Sequence, residues 1–267
     1  MDAILHRAAL KKSKKIVIKI GTNTIIDKDG KFNHNIIKNL ARDIHDLKFT
    51  GKEFTIVSSG AIGLGNHHMQ WQKTKDILMN QCSASIGQTL LMHAYHNCFK
   101  QHSLTVSQLL LTYSDIFDTK KETVIRNLTK KLIEQGIIPI INENDSVSTE
   151  EITFGDNDIL SAHVSGLIKA DLLIILTDTD GLYKDIEKED TINFIETIDP
   201  QIHACIHPKK SKEGKGGMSS KLLASGLAAK HGIKTVIAQG TEKNIIKKIL
   251  NGETTGTLLN LNGGNRK

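Results

Sequence analysis

At 267 residues, 39% of them hydrophobic, the chain is long enough to bury a substantial core as one large α/β domain or two closely joined lobes. Part of its net charge of +6 sits at Lys11, Lys12, Lys14 and Lys15, ahead of the first apolar run, and no aromatic-basic alternation accompanies it, which argues against a nucleic-acid partner. The longest apolar runs, such as 172–176, fall far short of the roughly 18 residues of a membrane span, and no signal-peptide-like segment follows the early lysines, so a cytoplasmic protein without membrane contact is expected. Cys82, Cys98 and Cys205 are too far apart for a compact metal motif and are expected to be buried free thiols.

Residues 15–20 (Lys-Ile-Val-Ile-Lys-Ile) predict a first buried strand that ends at Gly21-Thr22-Asn23. Ile36, Ile37, Leu40, Ile44 and Leu47 then give one apolar face of a helix over 33–47. Gly51 breaks that pattern before a strand over 54–57, which opens into the flexible loop Ser58-Ser59-Gly60-Ala61. A long helix over about 74–99 follows, rich in small residues that permit close helix or subunit packing. Thr105-Val106-Ser107 predicts another strand, and 122–134 a helix stopped at Gly136. The run 137–141 reads as a strand, and a helix beginning near Asp158 packs through Leu160, Val164, Leu167 and Ile168. One more strand is predicted over 172–176, then a charged loop over 207–217 and a helix from Met218 to about His231. This alternation favours a mostly parallel sheet with helices on both faces.

Two polar clusters carry the chemistry. Asn142-Glu143-Asn144-Asp145-Ser146 sits at the end of an apolar strand, with Gly155-Asp156-Asn157-Asp158 close behind, a pattern suited to a ligand crevice at the carboxyl edge of a sheet. Gly216-Gly217, directly before the helix that holds Lys221, combines loop amides, a helix amino terminus and a lysine, the elements that bind phosphate oxygens. Neither common nucleotide fingerprint is present. Gly214-Lys215-Gly216-Gly217 lacks the P-loop spacing, and Gly60-Ala61-Ile62-Gly63-Leu64-Gly65 lacks that of a dinucleotide turn. The pairs His67/His68 and His203/His207 have no zinc spacing.

Taken in order, Lys19-Ile20-Gly21-Thr22-Asn23, Val57-Ser58-Ser59-Gly60-Ala61, Ile141-Asn142-Glu143-Asn144-Asp145, Gly155-Asp156-Asn157-Asp158, Thr177-Asp178-Thr179-Asp180-Gly181-Leu182-Tyr183 and Gly216-Gly217-Met218-Ser219-Ser220-Lys221 resemble the glutamate 5-kinase (gamma-glutamyl kinase) family. That family is a branch of the amino-acid kinases, and the resemblance spans nearly the whole chain. It is closer than to carbamate or uridylate kinases because the Asn-Glu-Asn-Asp and Gly-Asp-Asn-Asp segments occur together. The resemblance implies an α/β fold, a three-layer α/β/α sandwich around an eight-stranded, mainly parallel sheet. It implies a single amino-acid kinase domain over 1–267, in the short form without a carboxyl-terminal RNA-binding-like domain. Within it, 15–168 would form the glutamate-binding lobe and 169–260 the ATP-binding lobe, with 1–14 a basic amino-terminal extension.

By the same resemblance, Lys19 and Lys221 act on the transferring phosphate, with Asp158 orienting them. Ser59, Asp145 and Asn157 match the glutamate site, and Asn142 and Asn144 shape that pocket. The nucleotide side takes Lys19, Gly21, Gly60, Thr177, Asp178, Lys215, Gly217, Met218 and Lys221. Cofactors are ATP and Mg²⁺, the ion held by phosphates and water and not by Asp145, Asp156 or Asp158. The implied reaction is phosphorylation of the γ-carboxylate of L-glutamate, opening proline biosynthesis. Proline as a feedback inhibitor, a homo-dimer or homo-tetramer, and association with glutamyl-phosphate reductase go with it. A kinase for another acidic amino acid and a noncatalytic nucleotide or amino-acid sensor stand as alternatives.

Overall fold

The computed structural model describes residues 2–27, 29–148, 157–185, 190–205 and 217–261. Helix α1 (Asp2–Ala9) and a 3-10 turn (Leu10–Lys12) lead into strand β1 (Lys15–Ile20), the short helix α2 (Thr22–Ile25), helix α3 (His34–Lys48) and strand β2 (Glu53–Val57). Helices α4 (Ala61–Met69) and α5 (Ile77–Lys100) precede β3 (Val106–Leu111), and α6 (Tyr113–Phe117) and α7 (Thr119–Glu134) precede β4 (Ile138–Glu143). Then come α8 (Asn157–Leu167), β5 (Leu172–Thr177), the small strands β6 (Tyr183–Asp185), β7 (Asp190–Thr191) and β8 (Phe194–Ile195), and α9 (Pro200–Cys205). The last described elements are α10 (Met218–Ala229), β9 (Lys234–Gln239), α11 (Ile245–Leu250) and β10 (Thr257–Leu259).

Eight strands form one sheet in the order β3-β4-β2-β1-β5-β9-β10-β8. Pairing is parallel from β3 to β9, and only the β10–β9 pair is antiparallel. The two-residue period of β1 assigns its side chains to two layers. Ile16, Ile18 and Ile20 join the core under α3, α5 and α11, with Ile37, Leu91, Tyr95 and Ile246. Val17 joins the opposite core with Val164 of α8 and Leu222 and Ala228 of α10. Lys19, two residues beyond Val17, therefore emerges on the α8–α10 side. Helices on both faces make the three-layer α/β/α sandwich. The chain passes from β1 to β2 on one side while β5 docks on the other, so a crevice opens at the carboxyl ends of these strands.

Several elements differ from their sequence-based outlines. Residues 61–69, left unassigned beyond the loop that ends at Ala61, form α4, and the long helix begins at Ile77. Strand β3 runs on to Leu111 because Leu109 and Leu111 bury against the sheet's α8-side core. Strand β4 carries its ladder through Asn142 and Glu143, paired with Leu110 and Leu111. Helix α10 stops at Ala229. Cys98 is buried as expected, but Cys82 is exposed on the outer face of α5; Cys205 lies where side chains are outside the described residues.

The basic amino-terminal segment is no loose extension. Leu10 is buried in the main core, and Arg7 is 2% exposed. The Arg7 guanidinium donates to the carbonyls of Glu253, Thr255, Asn193 and Gly256 at 2.6–3.0 Å, closing the carboxyl-terminal turn around it. Local charge drew attention to the lysines. What folds the segment is one leucine and one arginine with a ring of distant acceptors.

Candidate active site

Asp158 stands in the first turn of α8, fully buried, where a carboxylate also suits the positive end of the helix. Lys19 Nζ, from the end of β1, lies 2.5 Å from its Oδ1. From α10, Lys221 Nζ lies 3.3 Å from Oδ2, and Ser220 Oγ donates to the same oxygen at 2.7 Å. Lys19 is 4% exposed and Lys221 6%. Burial pushes the Asp158 carboxyl up, but the two ammonium groups, Lys19 foremost, and the Lys19 and Ser220 hydrogen bonds outweigh it and hold the group down at about 2. Two cations thus share one anion at the carboxyl edge of the sheet, and this small dry cluster carries net positive charge.

A chain of side-chain amides begins one residue away. Asn157 Nδ2 lies 2.6 Å from the Ser58 carbonyl, 3.0 Å from Ser59 Oγ and 2.8 Å from Asn142 Oδ1. Asn142 Nδ2 donates in turn to Gln88 Oε1 at 2.8 Å. Ser59, Asn142 and Asn157, predicted together for the glutamate site, are therefore brought together. Asn144 and Asp145 are not in that chain; they line a small pocket beside it with Ala61 and Gln88. Gln88 was missed by sequence reading. It lies mid-way along α5, and the only signal near it is the small-residue run Ser83, Ala84 and Gly87.

That run brings Gln88 close. A Cβ at Gly65 would collide with the Ser83 carbonyl, and one at Gly87 with the Ala61 carbonyl, so α4 and α5 touch backbone to backbone. The small residues of α5 serve this contact within the chain. Gly60 caps α4 with φ +100, a conformation that favours glycine. Gly21 is different: its φ is −74, and a Cβ there would stand 3.6 Å from Lys19 Nζ, so its missing side chain leaves room above the ammonium group.

On the predicted nucleotide side, Asp178 accepts from Thr177 Oγ1 at 3.0 Å and from Asn23 Nδ2 at 3.3 Å, which ties the end of β5 to α2. Gly217 precedes α10 in extended conformation and Met218 opens that helix. Lys215, like Gly155 and Asp156, lies outside the described residues. Among the described residues there is no cluster of three His, Cys, Asp or Glu side chains able to hold a metal ion, and no helix is long and apolar enough to cross a membrane.

Known proteins share both the fold and the sequence. The described architecture matches that of an isopentenyl phosphate kinase (TM-score 0.65, 16% identity, 92% of this chain and 99% of that one). It also matches the UMP kinase from Bacillus anthracis (TM-score 0.65, 17% identity, 93% and 96%). At those identities the likeness is one of fold. Sequence similarity is far higher to the glutamate 5-kinases of Clostridium perfringens, 41% identical over 94% of this chain and 97% of that protein, and of Listeria innocua, 43% identical over 94% and 95%. The glutamate 5-kinase of Nitrosospira multiformis is 40% identical over 94% of this chain, which spans 69% of its length. Residues 14–239 match the amino acid kinase family, and with these relatives the chain belongs to that family, on its glutamate 5-kinase branch.

Proposed function

We propose that this protein transfers the γ-phosphoryl group of ATP to the γ-carboxylate of L-glutamate, giving L-glutamate 5-phosphate and ADP, the first step of proline biosynthesis. The observation that carries the reading is the pair Lys19 and Lys221 on one sealed carboxylate, Asp158, next to the Asn157-Asn142-Gln88 amide chain. Joining a carboxylate to a nucleotide phosphate brings two anions together. Preorganised cations in a dry site stabilise the charge that spreads over the transferring group.

In this reading one γ-carboxylate oxygen forms the new O–P bond as the bond from the γ-phosphorus to the bridging oxygen breaks, and ADP leaves. A carboxylate is already a nucleophile at neutral pH, so no general base is required. Lys19 and Lys221 face the phosphoryl oxygens, and Asp158 fixes both ammonium groups between strand and helix. Ser59, Asp145 and Asn157 hold glutamate, with Asn142 and Asn144 shaping the pocket. Gly21, Gly60, Thr177, Asp178, Lys215, Gly217 and Met218 accommodate ATP. Bound on the phosphates, Mg²⁺ supplies charge neutralisation. Residues 15–168 then serve as the glutamate lobe and 169–260 as the ATP lobe of one domain.

The reading extends to a cytoplasmic homo-dimer or homo-tetramer with proline as feedback inhibitor and glutamyl-phosphate reductase as an associate. Comparison of kcat/KM for glutamate, aspartate and N-acetylglutamate at fixed Mg-ATP tests the substrate. Glutamate is expected to lead. Preference for another acid would move the assignment to a sibling kinase, and nucleotide binding without turnover of any acid would mark a sensor.

A further inference from the structure

The orientations of the buried amides are fixed by groups that cannot be reversed. The Glu143 backbone N–H donates to Asn142 Oδ1 at 2.9 Å, so the far end of that side chain is its Nδ2 donor. Asn142 Nδ2 then donates to Gln88 Oε1, which leaves Gln88 Nε2 as the outward group. At the other end, the Ser58 carbonyl accepts from Asn157 Nδ2, which leaves Asn157 Oδ1 outward. Gln88 Nε2, a donor, and Asn157 Oδ1, an acceptor, are both buried without a hydrogen-bond partner among the described residues. Buried polar groups are nearly always paired, and an orphaned donor costs stability that a ligand recovers.

Gln88 is 8% exposed, and it lines the pocket that also holds Asp145 and Glu143. Glu143 and Asp145 are the charged members of that pocket lining. They suit an ammonium group, while the one orphaned amide donor suits a carboxylate. The amide chain begins at Asn157, next to Asp158 and the two lysines, and Gln88 is its far end. A substrate whose reacting carboxylate meets the lysines therefore presents its other carboxylate toward Gln88.

We infer that Gln88 is a specificity-determining residue, donating from Nε2 to the α-carboxylate of the amino-acid substrate. The inference rests on the glutamate-kinase reading above. It makes the site demand a second carboxylate, because a substrate lacking one leaves the Gln88 donor buried and unpaired. Asn142 holds Gln88 in place, so Gln88 is set by the end of β4 as well as by its own helix.

The test compares glutamate with 4-aminobutyrate, which keeps the reacting carboxylate and the amine but lacks the α-carboxylate. In Gln88→Met the KM for glutamate is expected to rise about 10- to 100-fold, with kcat and the KM for Mg-ATP moved by less than roughly threefold. The glutamate to 4-aminobutyrate ratio of kcat/KM falls by the same factor. Gln88→Glu keeps the oxygen that accepts from Asn142 while replacing the donor by an anion. Its glutamate KM also rises at neutral pH and recovers at acidic pH, where the new carboxyl is protonated and donates again, a response that a packing defect does not give. Wild-type turnover of glutamate combined with an unaltered ratio in both variants overturns the role of Gln88 alone. Wild-type protein without acid-dependent turnover overturns the kinase reading, and this inference with it.

Discussion

Lys19 and Asp158 meet at 2.5 Å, Nζ to Oδ1, across the junction of a central strand and the first turn of a helix, both nearly sealed from water. The sheet's own alternation delivers the lysine to that face, since Val17, two residues earlier, packs into the same layer. Lys221 arrives at the other oxygen from α10. The cluster therefore couples three elements as well as carrying the positive charge that the proposed chemistry needs.

Replacing Asp158 with Asn leaves two buried ammonium groups without their carboxylate. A loss of about 3–5 kcal/mol in unfolding free energy is expected, since a broken buried pair exposes an uncompensated charge. Urea unfolding at neutral pH measures it. A variant as stable as the wild type would show that the lysines find other partners.

The acid response follows from the same group. Folding lowers the Asp158 carboxyl from 3.8 to about 2, so the unfolded chain binds this proton more readily. The associated stability, about 2 kcal/mol, is fully present above roughly pH 4 and is lost as pH falls through about 2. Unfolding free energies measured across that window are expected to fall more steeply for the wild type than for Asp158→Asn. Parallel curves would contradict the assignment.

Lys221→Ala is expected to lower kcat about 100- to 1,000-fold while the KM for glutamate stays nearly constant, the pattern of lost transition-state stabilisation. Steady-state kinetics on the folded variant read this directly. An unchanged kcat would remove Lys221 from the proposed chemistry.

Gly87→Ala places a methyl group against the Ala61 carbonyl at the α4–α5 contact. Overpacking of this kind costs about 1–3 kcal/mol, or more where backbone must move. A lowered thermal midpoint is expected, together with a raised glutamate KM, because Gln88 is the next residue. Wild-type stability would mean that the helices separate at little cost.

Much of the site was legible because its residues sit at strand ends, where chemistry interrupts an apolar run. Lys19 is the last polar residue of Lys-Ile-Val-Ile-Lys-Ile, Asn142 follows Ile140-Ile141, and Asp158 opens the next helix pattern. Gln88 has no such punctuation: within α5 a buried polar residue looks like any other until the facing helix is placed. Helix α4 was left unassigned for a related reason, since Gly63 and Gly65 weaken a helical pattern until the α5 contact of Gly65 is known. Strands β6, β7, β8 and β10 are too short for a two-residue period to register, and β9 was not read from the pattern either, so three of the eight strands in the main sheet came from resemblance. Arg7 was unreadable because its four acceptors lie at least 186 residues away.

The decisive measurement is ADP release by the purified protein with Mg-ATP and L-glutamate, against a control without glutamate and with hydroxylamine to trap the acyl phosphate. Glutamate-dependent ADP matched by an equal amount of γ-glutamyl hydroxamate is the expected result. A folded protein that binds ATP yet releases no ADP in response to glutamate would contradict it.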